Sequence, residues 1–512
     1  MPAFKVNGKP VEFRPGEMAL TAILRAGVYV PHFCYHPGLS PEGNCRICLV
    51  KTNQSRKLEV SCMTRANEKL EIETEAPEVK KARADVMEFL LINHPLDCPI
   101  CDKAGECDLQ DFTFTYRGGL SRFEEAKTLR HTKDLGPDIA IWGNRCIACS
   151  RCVRFCEEVP GTGELALVHR GDRSVIDVFP GVPIENPLSL NVVDICPVGA
   201  LIDKNFLFRQ RVWMAERART VCTSCSRGCN MELMVFNNRI QRFKPRPNPD
   251  VNGFWACDEG RLNVAYVDSQ RRLTECVGTV RQMAERLKAH AGDGLAALCS
   301  TSNTVEELYL FKQVVEALGI KRVGAITRSR GERWTARNGW TIESDGTCNA
   351  AFARLLWGES GTQSVVEAIE KGEIKALLWL NAIPARAWDE RMEAAAAKLS
   401  FFGVVDLLQW PLFASAHVVL PGAAFAEKDG TIVNVDGRIQ RLRKAVQPPG
   451  AARAEVEILQ ELLRALERRP RVLSAEGVFR EAVKEFQALA GLDYARIGDA
   501  GVPLHLKPND RP

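Results

Sequence analysis

The sequence predicts a multidomain chain of mixed α+β and α/β class, and three observations carry that prediction. Sixteen of its 19 cysteines lie before residue 260, in four clusters set among short strand-like and helix-like segments. After about Val267, apolar strand runs alternate with helical stretches, the pattern of an open α/β sheet. A length of 512 residues accommodates roughly three to five domains of ordinary size.

Composition narrows the class. Hydrophobic content of 46% and charged content of 26% are ordinary for a soluble globular protein. A formal charge of +4 is small for this length and gives no case for nucleic-acid binding. The N-terminal Met-Pro-Ala-Phe-Lys-Val-Asn-Gly-Lys leads into a strand pattern, not into an apolar signal segment. Clustered cysteines without an export signal argue for metal or redox use over disulfides. No uninterrupted apolar run approaches the roughly 18 residues of a membrane span, so the expectation is a soluble chain or one peripheral to a membrane through partners.

Taken in order, Phe4–Val6 and Val11–Phe13 flank Asn7-Gly8 and predict a β-hairpin. Met18–Ala26 predicts a short helix. Cys34, Cys45, Cys48 and Cys62 follow, spaced C-x10-C-x2-C-x13-C. The plant-type [2Fe–2S] pattern likewise has one close C-x2-C pair with outlying cysteines. A zinc ribbon wants two close pairs, and only one is present.

Pro77–Asn93 predicts a helix with Val79, Ala82, Val86, Phe89 and Leu90 near helical spacing, opened by Pro77 and ended by Pro95. It delivers the chain to His94, Cys98, Cys101 and Cys107, spaced H-x3-C-x2-C-x5-C. Soft sulfur ligands select iron–sulfur clusters, zinc or Cu(I) over hard cations. Alone, three cysteines and a histidine also make a structural zinc site. The neighbouring cysteine sets, none with zinc-finger spacing, turn the reading towards a chain of clusters.

The third set is Cys146, Cys149 and Cys152, followed by Cys196-Pro197. The bacterial ferredoxin run C-x2-C-x2-C-x3-C-P places its last cysteine on a second cluster. Only one triplet occurs in this segment, so Cys196 is the natural fourth ligand, and Cys156 reads as a small buried residue. The fourth set, Cys222, Cys225, Cys229 and Cys257, has the spacing C-x2-C-x3-C-x27-C around a hairpin-like segment at Met231–Phe236 and Arg239–Phe243. Gly228 lets the backbone approach what these cysteines hold, and a zinc site is the lesser alternative.

Beyond Val267, strands are predicted at Leu295–Cys299, Arg322–Ile326, Ala376–Leu380, Phe402–Leu407 and His417–Leu420. Helices are predicted from Thr304 through Leu318, where Thr304 and Glu307 form a capping box, and at Ser364–Glu370, Arg386–Leu399 and Glu455–Glu467. The tail after about Gly491 is rich in Gly, Pro and charge and is expected to be poorly ordered. Neither G-x-G-x-x-G nor G-x-x-x-x-G-K-[ST] occurs. With no flavin, pterin or nucleotide motif, the chain is expected to conduct electrons and not to perform two-electron chemistry itself.

The four sets in this order, with Cys196-Pro-Val-Gly-Ala-Leu201 in the third, resemble the 75 kDa-subunit family of bacterial respiratory NADH:quinone oxidoreductase, complex I. The resemblance is specific over the first ~270 residues. It implies a β-grasp [2Fe–2S] ferredoxin domain (1–76), a [4Fe–4S] domain with one His and three Cys ligands (77–117) and a ferredoxin-like [4Fe–4S] domain (118–214). A [4Fe–4S] domain of molybdopterin-oxidoreductase type (215–271), a shortened, degenerate molybdopterin-type α/β module (272–490) and a tail (491–512) would follow.

By position, Cys34, Cys45, Cys48 and Cys62 would hold the [2Fe–2S] cluster. His94, Cys98, Cys101 and Cys107 would hold the first [4Fe–4S] cluster, and Cys146, Cys149, Cys152 and Cys196 the second. Cys222, Cys225, Cys229 and Cys257 match an additional cluster of some members, off the main electron path and thought to be structural. The implied partners are other peripheral-arm subunits, including the FMN- and NADH-binding subunit and the quinone-proximal subunits, on the cytoplasmic side of the bacterial inner membrane.

The later half resembles the molybdopterin module through Ser300-Thr-Ser-Asn-Thr-Val-Glu-Glu307, His417-Val-Val-Leu-Pro421, Glu427-Lys-Asp-Gly-Thr-Ile-Val-Asn434 and Asp436-Gly-Arg-Ile-Gln440. Two departures argue against a working pterin site. Glu259 stands where pterin enzymes of this kind usually carry a lysine, and Cys348 is the only late cysteine that could be imagined as a molybdenum ligand. No molybdopterin, FMN or NAD site is expected. The alternatives are a subunit of an NAD-linked formate dehydrogenase, against which the short module argues, or of a multimeric hydrogenase, whose members usually stop before the α/β module.

Overall fold

The structure, a computed structural model, describes residues 1–116, 121–358, 361–468 and 473–504. It divides into two compact units, Met1–Ala215 with Ala336–Trp340, and Glu216–Thr335 with Thr341–Pro512. Among the described residues no helix is long and apolar enough to cross a membrane.

The first unit begins with β1 (Ala3–Val6) and β2 (Lys9–Glu12), antiparallel with Val6 opposite Lys9. Asn7 and Gly8 turn between them at φ of +50° and +79°, the doubly left-handed turn whose twist matches paired strands. α1 (Ala19–Arg25) buries Leu20 and Ile23. β3 (Leu49–Thr52), β4 (Glu59–Val60) and β5 (Glu71–Glu73) complete a mixed sheet of order β2-β1-β5-β3-β4, with β1 parallel to β5. Phe4, Leu20, Val50 and Ile72 form its core together with Cys48 and Cys62, so the first cysteine set is built into the core wall.

α2 (Pro77–Leu91) starts with Pro77, whose missing N–H costs nothing at a helix start. Its inward face is not the expected one. Val79, Arg83 and Met87 are buried at i, i+4, i+8, whereas Phe89 is 74% exposed. The face is rotated because Arg83 has partners inside: its Nη2 donates to Leu49 O at 3.2 Å, its Nη1 to Glu75 at 3.4 Å, and its guanidinium lies over Tyr116.

α3 (Asp108–Tyr116) follows the second ligand loop. Further on come β6 (Thr132–Asp134), β7 (Ile139–Trp142), α4 (Arg151–Glu158), β8 (Leu165–Val168), β9 (Val175–Val178), α5 (Asn191–Ile195) and β10 (Leu201–Asp203). The order β10-β7-β6 makes one antiparallel sheet, while β8 and β9 pair separately. α4 packs against α5 and β8.

The second unit opens with an antiparallel meander of β11 (Glu216–Val221), β12 (Asn230–Phe236) and β13 (Arg239–Pro245). α6 (Asp258–Leu262) and α7 (Val280–Ala289) lead into a parallel sheet of β14 (Leu295–Ser300), β15 (Arg322–Ile326), β18 (Ala376–Leu380), β19 (Phe401–Asp406) and β20 (Val418–Pro421), ordered β15-β14-β18-β19-β20. Between β15 and β18 the short strands β16 (Trp334–Thr335) and β17 (Thr341–Ile342) pair with each other. This is the doubly wound arrangement that alternating strands and helices predict.

α8 (Val305–Ala317) carries the expected capping box, with Glu307 N donating to Thr304 Oγ1 at 3.2 Å and Thr304 N to Glu307 Oε2 at 2.9 Å. α9 (Ala350–Trp357), α10 (Gln363–Glu370) and α11 (Glu390–Ala396) cover the sheet connections. β21 (Gly430–Val433), β22 (Arg438–Leu442), α12 (Glu455–Ala465) and α13 (Ala475–Glu485) follow.

The expected disorder after Gly491 is corrected over 491–504. α14 (Tyr494–Ile497) forms there, β23 (Val502–Pro503) pairs with β22, and Asp499 Oδ1 accepts from Arg443 at 2.6 Å while its backbone O accepts from Asn230 at 2.9 Å. Polar partners from distant strands order what composition alone leaves open. The remainder of that tail, 505–512, lies outside the described residues.

Candidate functional site

Each ligand loop contains a left-handed residue: Arg46 (φ +59°) after Cys45, Gly105 (+86°) before Cys107, Ala148 and Ser150 (+51° and +59°) around Cys149, and Gly228 (+65°) before Cys229. Such a reversal turns successive N–H groups towards one concave side, where a sulfur anion is well received. Ala148 N donates to Cys146 Sγ at 3.4 Å and Cys34 N to Cys45 Sγ at 3.4 Å. Ala148 and Ser150 hold this conformation against the Cβ cost that glycine escapes.

The first set is brought together. The Cys34 thiol is within hydrogen-bonding reach of Cys45 and Cys62, and Cys48 of Cys62. In the third set Cys146, Cys149, Cys152 and Cys196 line one cavity, walled by Ile141, Ile147, Ile176 and Val198. Cys156 does not line it. It is buried instead on α4, and its backbone O accepts from Gly161 and Thr162. Burial holds the thiols in their neutral form, pushing Cys146 up to about 11 and Cys149 to about 12. A metal group must therefore displace their protons.

The second set is more open. Cys101 and Cys107 are buried, His94 is half-buried and Cys98 is exposed. Burial and the nearby Arg145 and Lys127 cations bring His94 down to about 4, which leaves the imidazole neutral, the form that ligates metals. In the fourth set all four cysteines are buried. Cys222 N donates to Cys229 O at 2.9 Å, closing the loop between β11 and β12, and Gly260 N donates to Cys257 Sγ at 3.3 Å. A Cβ at Gly260 would stand 3.1 Å from Cys222 Sγ and 3.2 Å from Cys257 Sγ, so a side chain there would crowd both sulfurs.

Among the described residues no three His, Cys, Asp or Glu side chains converge on a single-ion point. A four-iron cluster takes one ligand per iron, and its ligands ring a volume, as the cysteines of the third set do around their cavity.

Cysteine spacing did not reveal the arginines that bind these loops together. On α4, Arg151 Nη2 donates to Tyr35 O at 2.6 Å and Nη1 to Ile195 O at 3.0 Å, while Arg154 donates to the carbonyls of Cys34 and Ser40. The first loop is thereby fixed to the third. Asn44 adds a contact to Ala148 O at 3.3 Å. On the other side of the third set, a Cβ at Gly199 would meet Cys101 Sγ at 2.2 Å. Space thus orders the sets first, third, second. The available signal was an arginine beside or between the ligands: Arg145-Cys146, Arg151-Cys152 and Arg227-Gly228-Cys229.

The signature residues of the later half serve packing. Gln440 Nε2 donates to Gly228 O at 2.9 Å and Asn434 Nδ2 to Arg227 O at 3.2 Å, supporting the fourth ligand loop. Lys428 Nζ lies 2.7 Å from Glu307 Oε1 and 2.8 Å from Glu455 Oε2, joining α8 to α12. Glu259 is paired with Arg328, at 3.7 Å, and with Arg330, so cations do stand beside the fourth set, supplied from a different loop. Cys348 is fully buried beside Asn349, whose side chain bonds Asn303 O and Val433 N at 2.8 Å.

Comparison with known proteins finds five family models in order along the chain. They are a 2Fe-2S iron-sulfur cluster binding domain (3–77), the NADH-ubiquinone oxidoreductase-G iron-sulfur binding region (83–119), the ferredoxin-like domain of NADH-quinone oxidoreductase subunit 3 (136–202), the molybdopterin oxidoreductase Fe4S4 domain (215–269) and molybdopterin oxidoreductase (328–465).

An NADH-quinone oxidoreductase subunit of Rickettsia felis, designated G, is 27% identical, the match covering 95% of this chain and 91% of that one. The mitochondrial NADH dehydrogenase [ubiquinone] iron-sulfur protein 1 of Solanum tuberosum is 43% identical over 52% of this chain and 36% of its own. Among solved structures, an NAD+-reducing [NiFe]-hydrogenase chain in the H2-reduced state matches at TM-score 0.38 and 29% identity, covering 41% of this chain and 91% of that one. Along nearly its whole length the chain is thus similar to the iron–sulfur subunits of NADH-quinone oxidoreductase designated G and 75 kDa.

Proposed function

We propose that this chain is the iron–sulfur electron-transfer subunit of a respiratory NADH:quinone oxidoreductase, carrying electrons that leave NADH through FMN in a partner subunit towards quinone. The observation that carries the reading is the third set. Cys146, Cys149, Cys152 and Cys196 line one largely apolar cavity, with the loop of the first set bonded to it on one side and that of the second packed against it on the other.

Cys34, Cys45, Cys48 and Cys62 would hold a [2Fe–2S] cluster. His94, Cys98, Cys101 and Cys107, then Cys146, Cys149, Cys152 and Cys196, and then Cys222, Cys225, Cys229 and Cys257 would each hold a [4Fe–4S] cluster. Such groups supply one-electron exchange, with potentials set by charge, hydrogen bonds to sulfur and solvent exposure. The chain's own residues do the rest. Ile141, Ile147, Ile176 and Val198 exclude water around the third set, and Arg151 and Arg154 fix its spacing from the first.

The domain boundaries proposed are 1–76, 77–117, 118–214, 215–271, 272–490 and 491–512. The partners proposed are the FMN- and NADH-binding subunit and the quinone-proximal subunits of a multi-subunit complex. It would act at the cytoplasmic face of a bacterial inner membrane, with membrane contact only through those partners.

The test is iron, acid-labile sulfide and molybdenum analysis of anaerobically purified protein, with low-temperature EPR of the reduced sample. One [2Fe–2S] and three [4Fe–4S] clusters require about 14 iron atoms per chain. Stoichiometric molybdenum would favour a formate dehydrogenase, and zinc in place of iron would end the redox reading.

A further inference from the structure

We propose that Arg145 is the cation that sets the reduction potentials of the groups held by both the second and the third ligand sets, an inference that rests on the ligand assignment above.

Arg145 ends the short 3-10 turn Gly143–Arg145 that follows β7, one residue before Cys146, and is 1% exposed. Its Nε donates to Asp97 Oδ2 at 2.8 Å, and its guanidinium lies 3.8 Å above the Trp142 ring centre. Its Nη2 is buried and has no hydrogen-bond partner among the described residues. Burying a guanidinium with an idle donor is costly unless an anion completes its surroundings. Asp97, partly open to solvent and one residue before Cys98, accounts for only one side of it.

The other side is sulfur. A Cβ placed on Gly199 would fall 2.2 Å from Cys101 Sγ and 3.7 Å from Arg145 Cδ, so the thiol of the second set and the arginine pack on the same backbone atom, three residues from Cys196 of the third. Arg145 is therefore packed against Cys101 of the second set while its own chain neighbour is Cys146 of the third. A fixed cation with a free N–H favours the reduced, more negative form of each, and charge and hydrogen bonds to sulfur are what move such potentials.

A purely structural pillar stacked on Trp142 would fill the same space, and charge separates the two roles. Arg145→Met keeps bulk and loses charge. Arg145→Lys keeps charge and loses the planar fork. Asp97→Asn removes the counter-charge and should act in the opposite direction.

The experiment is an EPR redox titration of the full chain in its assembled complex, with iron content measured on the same samples. In Arg145→Met, the reduced-to-oxidised ratio of the groups in the second and third sets should fall about tenfold at a fixed potential, about 59 mV for one electron. Arg145→Lys should recover most of that shift, Asp97→Asn should move the same two signals upward, and the signals of the first and fourth sets should stay in place. Full iron with unmoved potentials in Arg145→Met overturns the proposal. If that variant loses its iron, unmoved potentials in Asp97→Asn overturn it equally. A wild-type chain without iron in these sets would instead fail the ligand assignment itself.

Discussion

Arg272 and Glu427 form a doubly hydrogen-bonded pair inside the second unit. Nη1 to Oε1 and Nη2 to Oε2 are both 2.7 Å, with the two side chains 2% and 1% exposed. The remaining donors of Arg272 reach the carbonyls of Leu407, Val267 and Gly422, and Glu427 also accepts from Ala424 N at 2.7 Å. The pair ties the segment before α7 to the turn after β20.

A buried pair this well satisfied is far more sensitive to losing one member than to losing both. Glu427→Ala should destabilise the second unit by about 3–5 kcal/mol, because a charged guanidinium is left behind. The double variant Arg272→Met/Glu427→Leu should lose less than either single one. Denaturant unfolding of the three proteins checks the ordering.

Asp406 and Glu306 predict a pH dependence. Burial raises Asp406 from 3.8 to about 7 and Glu306 from 4.5 to about 7, the former bonded to Asn381 and the latter to Tyr494 and Thr431. The folded state holds these protons more tightly than the unfolded chain does. Their contribution to stability is therefore full below about pH 4 and is lost as pH rises towards 7, by at most about 1.4 kcal/mol per pH unit for each group. Unfolding measured at pH 5 and pH 8 should show the decline, and Asp406→Asn should flatten it.

His94→Cys should retain a cluster and lower its potential, since an imidazole leaves the site less negative than a thiolate. EPR redox titration reads the shift. An unchanged potential would remove His94 from the ligand set.

Cys149→Ala and Cys225→Ala should part company. The first should abolish electron flow from NADH to quinone in the assembled complex, while the second should chiefly lower stability and assembly yield. Turnover per assembled complex is the measurement, and equal loss in both would erase the distinction.

Gly199→Ala should strip iron from the second set, about four atoms per chain, because its new methyl lies 2.2 Å from Cys101 Sγ. Iron analysis decides, and full iron would mean that the loop yields instead.

Local chemistry made much of this molecule legible in its sequence. Asn7-Gly8 announced the hairpin, Thr304 with Glu307 announced the start of α8, and the strands of the parallel sheet fall within a residue or so of their apolar runs. Cysteine spacing also placed Cys156 apart from its neighbours, and the cavity of the third set leaves it out. What escaped was buried charge. Arg83, Arg145, Arg151 and Lys428 look like surface residues to any periodicity argument, because what admits them to the interior is a carbonyl or carboxylate far away in sequence. Residues 491–504 escaped for the same reason: Asp499 is ordered by arginines and an asparagine that composition does not connect to it.

The uneven burial of the sulfurs also fixes how this protein ages. The thiols of the fourth set are sealed inside the second unit, and three of the third set's are nearly so, whereas Cys98 faces water. Groups held by the buried sets would have to enter while the chain closes around them, because the sulfurs are covered once it has folded. Damage in the isolated chain runs the other way. Among the cysteines of the four sets Cys98 is the one exposed to solvent, so oxidants would reach the second set before the other three, and a group held there would be the one replaceable without dismantling the fold.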